Sequence, residues 1–97
     1  MTSANYKAGY RAEIQARDIL KGHGYSVMRS AKSGGVFDLI GLKKRGGIAV
    51  QVKLCRTGNI PAFLSTRKQI ENAKVPDNFK KELWVKERRR GWHYFAL

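Results

Sequence analysis

Ile48-Ala49-Val50-Gln51-Val52-Lys53-Leu54 sets Ile48, Val50, Val52 and Leu54 in alternation with Ala49, Gln51 and Lys53, which is the two-residue period of a β-strand. One face of this strand suits a core, and the other carries an amide and a lysine. Upstream, Val36-Phe37-Asp38-Leu39-Ile40-Gly41-Leu42 is a second short apolar run whose only charge is Asp38. Lys43-Lys44-Arg45-Gly46-Gly47 between the runs reads as an exposed turn, so the two runs are expected to pair as a hairpin. A tight loop centred on Arg45-Gly46 would set Leu42 opposite Ala49, Ile40 opposite Gln51 and Asp38 opposite Lys53, with Gln51 diagonal to Asp38. That register gathers an acid, an amide and a lysine on one face within side-chain reach.

A second carboxylate comes from a helix. Over Tyr6 to Lys21 the residues nearest Glu13 on a 3.6-residue helix are Tyr6, Gly9, Tyr10, Ala16, Arg17 and Leu20. Glu13 is therefore expected near the middle of a mostly apolar stripe, where desolvation penalises it unless a cation or hydrogen-bond donors compensate. Arg17 four residues on, or a metal ion shared with Asp38, could supply that compensation. Each residue has a plainer reading when taken singly: Glu13 as half of an exposed helical ion pair with Arg17, Asp38 as a strand-start residue, and Gln51 with Lys53 as the solvated face of an edge strand. Order and register together favour a catalytic site.

Around this centre the expected order is helix (4 to 21), strand (25 to 30), a glycine loop, strands (37 to 43 and 48 to 55), helix (62 to 73) and strands (81 to 88 and 91 to 96). Gly58 and Pro61 break the chain before the second helix, Pro76 after it, and Arg89-Arg90-Gly91 should turn between the last strands. Trp84, Val85, Trp92, Tyr94 and Phe95 supply much of the remaining apolar surface. His23 belongs to the end of the first helix and His93 to the last strand, a spacing that suggests no zinc site.

Helix glutamate, strand aspartate and strand Glu-or-Gln-x-Lys, in that order, resemble the restriction-endonuclease-like PD-(D/E)xK nucleases. The details are most similar to archaeal-type and phage Holliday junction resolvases. The residues that carry the resemblance are Gly9-x-x-x-Glu13, Gly24-Tyr25-x-Val27-x-Arg29 leading to Ser33-Gly34-Gly35, Asp38-Leu39-Ile40, and Val50-Gln51-Val52-Lys53. More loosely, Leu64-Ser65-x-x-x-Gln69 resembles the helix that follows and Leu83-Trp84-Val85 a later strand. The chain departs from the pattern twice. Gln51 stands where a glutamate is usual, and Phe37 where a proline often precedes the aspartate.

The resemblance implies an α/β, small restriction-endonuclease-like fold with a mixed central β-sheet of about five strands flanked by helices, in one nuclease domain over residues 1–97. It also implies metal-dependent hydrolysis of DNA phosphodiesters, with a four-way junction the leading substrate. The catalytic residues would be Glu13, Asp38, Gln51 and Lys53, of which Asp38, Gln51 and Glu13 would hold Mg2+, with Mn2+ an acceptable substitute. An amide oxygen is a hard ligand but brings no charge, so metal binding is expected to be weaker than with glutamate at position 51. Arg29 and Lys32 lie beside the glycine loop, whose Ser33 and Gly34 could bring backbone amides to a phosphate. Other targets, such as flaps or nicks, and a non-catalytic nucleic-acid-binding module with a decayed site are the competing readings.

Composition agrees with such a partner. Twenty Lys and Arg against seven Asp and Glu give a net charge of +13 on 97 residues, a strong field for a small domain. The cations, Arg11, Lys43, Lys44, Arg45, Arg56, Lys80 and Arg88-Arg89-Arg90 among them, are spread along the chain and fit a folded surface that follows a phosphate backbone. Generic basicity, as in a ribosome-associated protein, would look the same from charge alone. No apolar run approaches the roughly 20 residues of a membrane span, and the start of the chain lacks the apolar core of a signal peptide, so a cytoplasmic location is expected. Cys55 is the single cysteine, which rules out an intrachain disulfide and points to packing. A small core with C-terminal aromatics to cover suggests a homodimer, and two sites related by a two-fold axis suit the cutting of two strands. The Trp84 and Trp92 region or the second helix would be its surface.

Overall fold

The computed structural model describes residues 4–29, 36–55 and 64–97. Helix α1 (Ala4–Gly22) is followed by strands β1 (Ser26–Arg29), β2 (Leu39–Lys43) and β3 (Gly46–Cys55), helix α2 (Leu64–Asn72), and strands β4 (Phe79–Glu87) and β5 (Gly91–Ala96). The five strands form one sheet in the order β1-β2-β3-β4-β5. Neighbours are antiparallel except β3 and β4, which run parallel, as a helical crossover between consecutive strands requires. This is the mixed, helix-flanked sheet of five strands that the family resemblance implied.

Alternation along β3 places a helix on each face. Ile48, Val50 and Val52 bury against Ala12, Ala16 and Leu20 of α1, together with Leu39 and Trp84. On the opposite face Cys55 packs with Ile70 of α2 and with Leu83 and Val85 of β4. Register places Gln51 beside Leu83 and Lys53 beside Val85, so both side chains share this second face and are half-buried. Alternation alone made that face look solvated. The parallel strand and α2 cover part of it.

Two expectations about α1 need correction. Its buried stripe is Ala12, Ala16 and Leu20, and Glu13 lies on the flank of that stripe with its side chain 28% exposed. Arg17 pairs with its neighbour Asp18 at 3.0 Å, not with Glu13. The helix ends as the glycine after His23 suggests. Gly24 takes φ 92°, and the N–H groups of Tyr25 and Gly24 donate to the Leu20 and Lys21 carbonyls, a Schellman closure that satisfies the terminal acceptors.

The β2–β3 hairpin also differs in register. Lys43 faces Gly46, Leu42 faces Gly47 and Ile40 faces Ala49, a ladder displaced by two residues from the expected one. Gly46 and Gly47 belong to β3, and only Lys44 and Arg45 turn. The glycines are there for close approach. A Cβ on Gly46 would lie 2.3 Å from the Asn78 carbonyl oxygen, and one on Gly47 would lie 2.6 Å from the Gly41 oxygen and from the Phe79 ring. A shift of two preserves the facing of every side chain, so the polar residues remain on one side of the hairpin. The last hairpin turns at Arg88-Arg89-Arg90, with Arg89 at φ 67° and Gly91, at φ 97°, opening β5.

Candidate active site

Asp38 stands one residue beyond the β2 ladder, which ends where Leu39 faces Val50. Its own N–H donates to the Val50 carbonyl at 2.9 Å, and its Oδ2 accepts from the Val52 N–H at 2.8 Å. β2 leaves β3 at this point, and the carboxylate supplies the acceptor that a continuing strand would have given, so the Val52 donor is not orphaned. Asp38 thereby grips β3 on both sides of Gln51. Gln51 points away from Val50 and Val52, and Lys53 points the same way as Gln51.

Burial pushes the Asp38 carboxyl above its ordinary range, and the negative charge of Glu13 adds to the rise. The Val52 hydrogen bond, Lys53 and Arg29 act in the other direction. Glu13 from α1, Arg29 from the end of β1 and Lys53 from β3 all act on one half-buried carboxylate. Displaced register notwithstanding, the charges of Glu13 and Lys53 both bear on Asp38. Gln51 lies half-buried on the strand between the two backbone groups that hold Asp38.

Arg29 is the member whose place the sequence did not give. Its Nη2 donates to Glu13 Oε1 at 3.2 Å, and its guanidinium lies 4.7 Å from the centroid of the Tyr10 ring. The Gly9-x-x-x-Glu13 segment and the end of β1 therefore meet through charge and an aromatic face. Sequence alone offered Arg17 because it is near in the chain, whereas Arg29 is sixteen positions away. Arg11 is exposed on α1. Lys32, Ser33, Gly34 and Arg56 lie outside the described residues.

Phe37, in place of the proline common before such an aspartate, is half-buried and packs against the Cys55, Ile70, Leu83 and Val85 cluster. It anchors the entry to Asp38 by apolar contact. Cys55 is buried and its thiol is pushed up by burial and by Glu87, which fits packing and not nucleophilic chemistry. His93 Nε2 and the buried Glu87 Oε1 lie 2.8 Å apart.

The donor set suits a hard divalent cation. The negative charge of Glu13 raises the cost of ionising Asp38, as in a pair of carboxylates that a cation would relieve, and Gln51 on β3 could add a neutral oxygen donor. Among the described residues no group of three His, Cys, Asp or Glu could hold a metal, so a three-residue set here would have to draw on a neutral oxygen donor such as the Gln51 amide.

Comparison with known proteins bears on the fold and the family. The family model described as archaeal Holliday junction resolvase (Hjc) matches residues 4–96. Comparison with curated proteins gives no match. Among solved structures, that of the Holliday junction resolvase Hjc from the archaeal hyperthermophile Archaeoglobus fulgidus is similar, with a TM-score of 0.60 and 20% identity, covering 92% of this chain and 72% of that one. The structural likeness speaks for the fold, and the family match spans α1 through β5 with Glu13, Asp38, Gln51 and Lys53 inside it. The chain belongs to the archaeal Holliday junction resolvase family, DNA endonucleases that act on branched DNA.

Proposed function

We propose that this resolvase cuts four-way DNA junctions with Mg2+, using Asp38, Gln51 and Glu13 as the metal-holding set and Lys53 as the group that acts on the phosphate. The observation that carries the reading is the double grip of Asp38 on β3, through Val50 and Val52, because it fixes one carboxylate against the strand that bears both Gln51 and Lys53. A bound divalent ion would polarise the phosphate and offset charge developing in the transition state.

The protein residues have separable tasks. Asp38 is held by β3, so its orientation is set before substrate arrives and costs little to maintain during the reaction. Gln51 presents an amide oxygen without adding charge, so it holds magnesium more weakly than a glutamate there would. Lys53, half-buried on the same face, places a fixed cation where it can orient the attacking water or stabilise the pentavalent phosphate. Arg29 neutralises Glu13 and is well placed to move its guanidinium onto a DNA phosphate, with Arg11, Lys32, Ser33, Gly34 and Arg56 as further DNA contacts.

Cleavage of end-labelled four-way junction, flap and linear duplex in magnesium, manganese or EDTA tests the reading. Paired symmetric nicks in the junction, present with either metal and absent in EDTA, are expected. Tight junction binding without cleavage in any metal would make the protein a binding module with Gln51 as its lesion.

A homodimer supplies two such sites. No helix among the described residues is long and apolar enough to cross a membrane, and a branched-DNA substrate supports the cytoplasmic location. The dimer surface we favour is the outer strand β5, where Trp92 and Tyr94 stack with rings 12° apart and Trp84 meets both edge-on. Tyr94 is 52% exposed. Aromatic side chains of this kind on an edge strand are suited to burial against a second copy. Sedimentation of monomer alone at micromolar protein, with and without junction DNA, would remove the dimer.

A further inference from the structure

The end of the sheet opposite Lys53 carries a feature that the catalytic residues do not use. Lys43, Lys44, Arg45 and Lys80 line one cavity of about 530 Å³ with Tyr25, Asn78 and the glycines Gly24, Gly46 and Gly47. Among the described residues no acidic side chain lines it. Crowding four like charges destabilises a fold on its own account, so an anionic partner is the natural reason for their being together.

The cluster is mounted on a fixed platform. Lys43 Nζ lies 4.2 Å from the centroid of the Tyr25 ring. Asn78 Nδ2 donates to the Arg45 carbonyl at 3.4 Å, and the Gly47 N–H donates to the Asn78 carbonyl at 3.2 Å. The β2–β3 turn is thus tied to the start of β4, which carries Lys80. The close approaches that require glycine at positions 46 and 47 hold these two cation-bearing segments side by side.

We propose that the Lys43–Arg45 turn and Lys80 form a second contact for the DNA phosphate backbone, separate from the catalytic edge, which holds a junction arm away from the point of cutting. Seven residue steps lead from Gly46 to Lys53 on β3, or roughly 23 Å at a strand rise of about 3.3 Å per residue. With about 3.4 Å between successive phosphates along the axis of a duplex strand, this span corresponds to roughly seven base pairs. An arm that leaves the catalytic edge over the outer surface of the domain, in the direction of β3, therefore reaches the turn only if it is at least about that long. The proposal rests on the resolvase reading.

The test is binding in EDTA, at several salt concentrations, of wild-type protein and the Lys44→Ala, Arg45→Ala, Lys80→Ala triple variant. Its substrates are four-way junctions with loop-closed arms of about 5 or about 15 base pairs, which straddle the estimated span. The three side chains are exposed, and an unchanged thermal transition would show that the variant is folded. The expected result is a loss of roughly tenfold to a hundredfold on long arms, with the salt slope reduced by about 2, and a loss of less than about twofold on short arms, since each phosphate contact contributes about 0.7–0.9 to the slope. Equal losses at both lengths, or no loss at either, would overturn the arm contact while leaving the resolvase reading in place. Wild-type protein that binds junctions no better than duplex and cuts neither in magnesium would overturn the resolvase reading, and the arm contact with it.

Discussion

Asparagine at position 38 will abolish junction cleavage, by about a hundredfold to a thousandfold or more, and leave the fold intact. The size of the loss follows from what one well-placed electrostatic group contributes to stabilising a transition state. The intact fold follows from the hydrogen bond at Oδ2: an asparagine oxygen can still accept from the Val52 N–H, whereas Asp38→Ala would orphan that donor at a cost of about 1–3 kcal/mol.

Stability should move the other way. Because burial and Glu13 hold the Asp38 carboxyl above its ordinary range, the folded chain binds this proton more tightly than the unfolded one. Ionised Asp38 therefore opposes folding at every pH above its folded value, and the penalty disappears as pH falls below the unfolded value, ordinarily about 3.8. Asp38→Asn should melt at least as high as wild type at neutral pH, with the advantage gone in strong acid. Magnesium at about a hundred times its dissociation constant should stabilise the wild type by about 2.7 kcal/mol and the variant by much less. A variant that cleaves at a rate near wild type, or that gains as much from magnesium, would take Asp38 out of the site.

The parts of this site that sequence revealed are those encoded by local period. Alternation from Ile48 to Leu54 located β3 and set Gln51 and Lys53 on one side. The hairpin partner was evident from its apolar run, but its register was not, because Gly46 and Gly47 look like turn residues until Asn78 and Phe79 are known to press against them. Those contacts come from a segment more than thirty positions downstream. Helical period placed Glu13 near the middle of an apolar stripe, whereas it lies on the stripe's flank, since Ala12 turns inward and Tyr10 is exposed. Its ion-pair partner was hidden for a related reason: Arg29 reaches Glu13 only after β1 has folded back along the helix. The cover that α2 gives to the second face of β3 was hidden in the same way, because it depends on a parallel pairing that no local pattern announces.

Lys53→Ala is the second large effect, and its value lies in separating chemistry from binding. Lys53 sits on the β3 face beside Val85, half-buried, and is one of the charges that lower the Asp38 carboxyl's affinity for its proton. Removing it should reduce cleavage by about a hundredfold or more and change junction affinity by less than about threefold, since one cation among the many that meet the DNA is lost. The same change leaves burial and Glu13 less opposed, so Asp38 should hold its proton to higher pH in the variant than in the wild type. The acid limb of magnesium binding, followed by thermal stabilisation, should shift upward with it. Lys53→Arg makes the distinction sharper. Guanidinium keeps the charge and would restore the Asp38 titration, but its rigid planar fork does not reproduce a compact ammonium, so cleavage should stay low if Lys53 acts at a defined point on the water or phosphate. Recovery of cleavage in Lys53→Arg would mean that charge alone is required. Affinity and cleavage that fall together in Lys53→Ala would make this residue a phosphate contact, and the chemistry would then rest on Asp38, Gln51 and Glu13 alone.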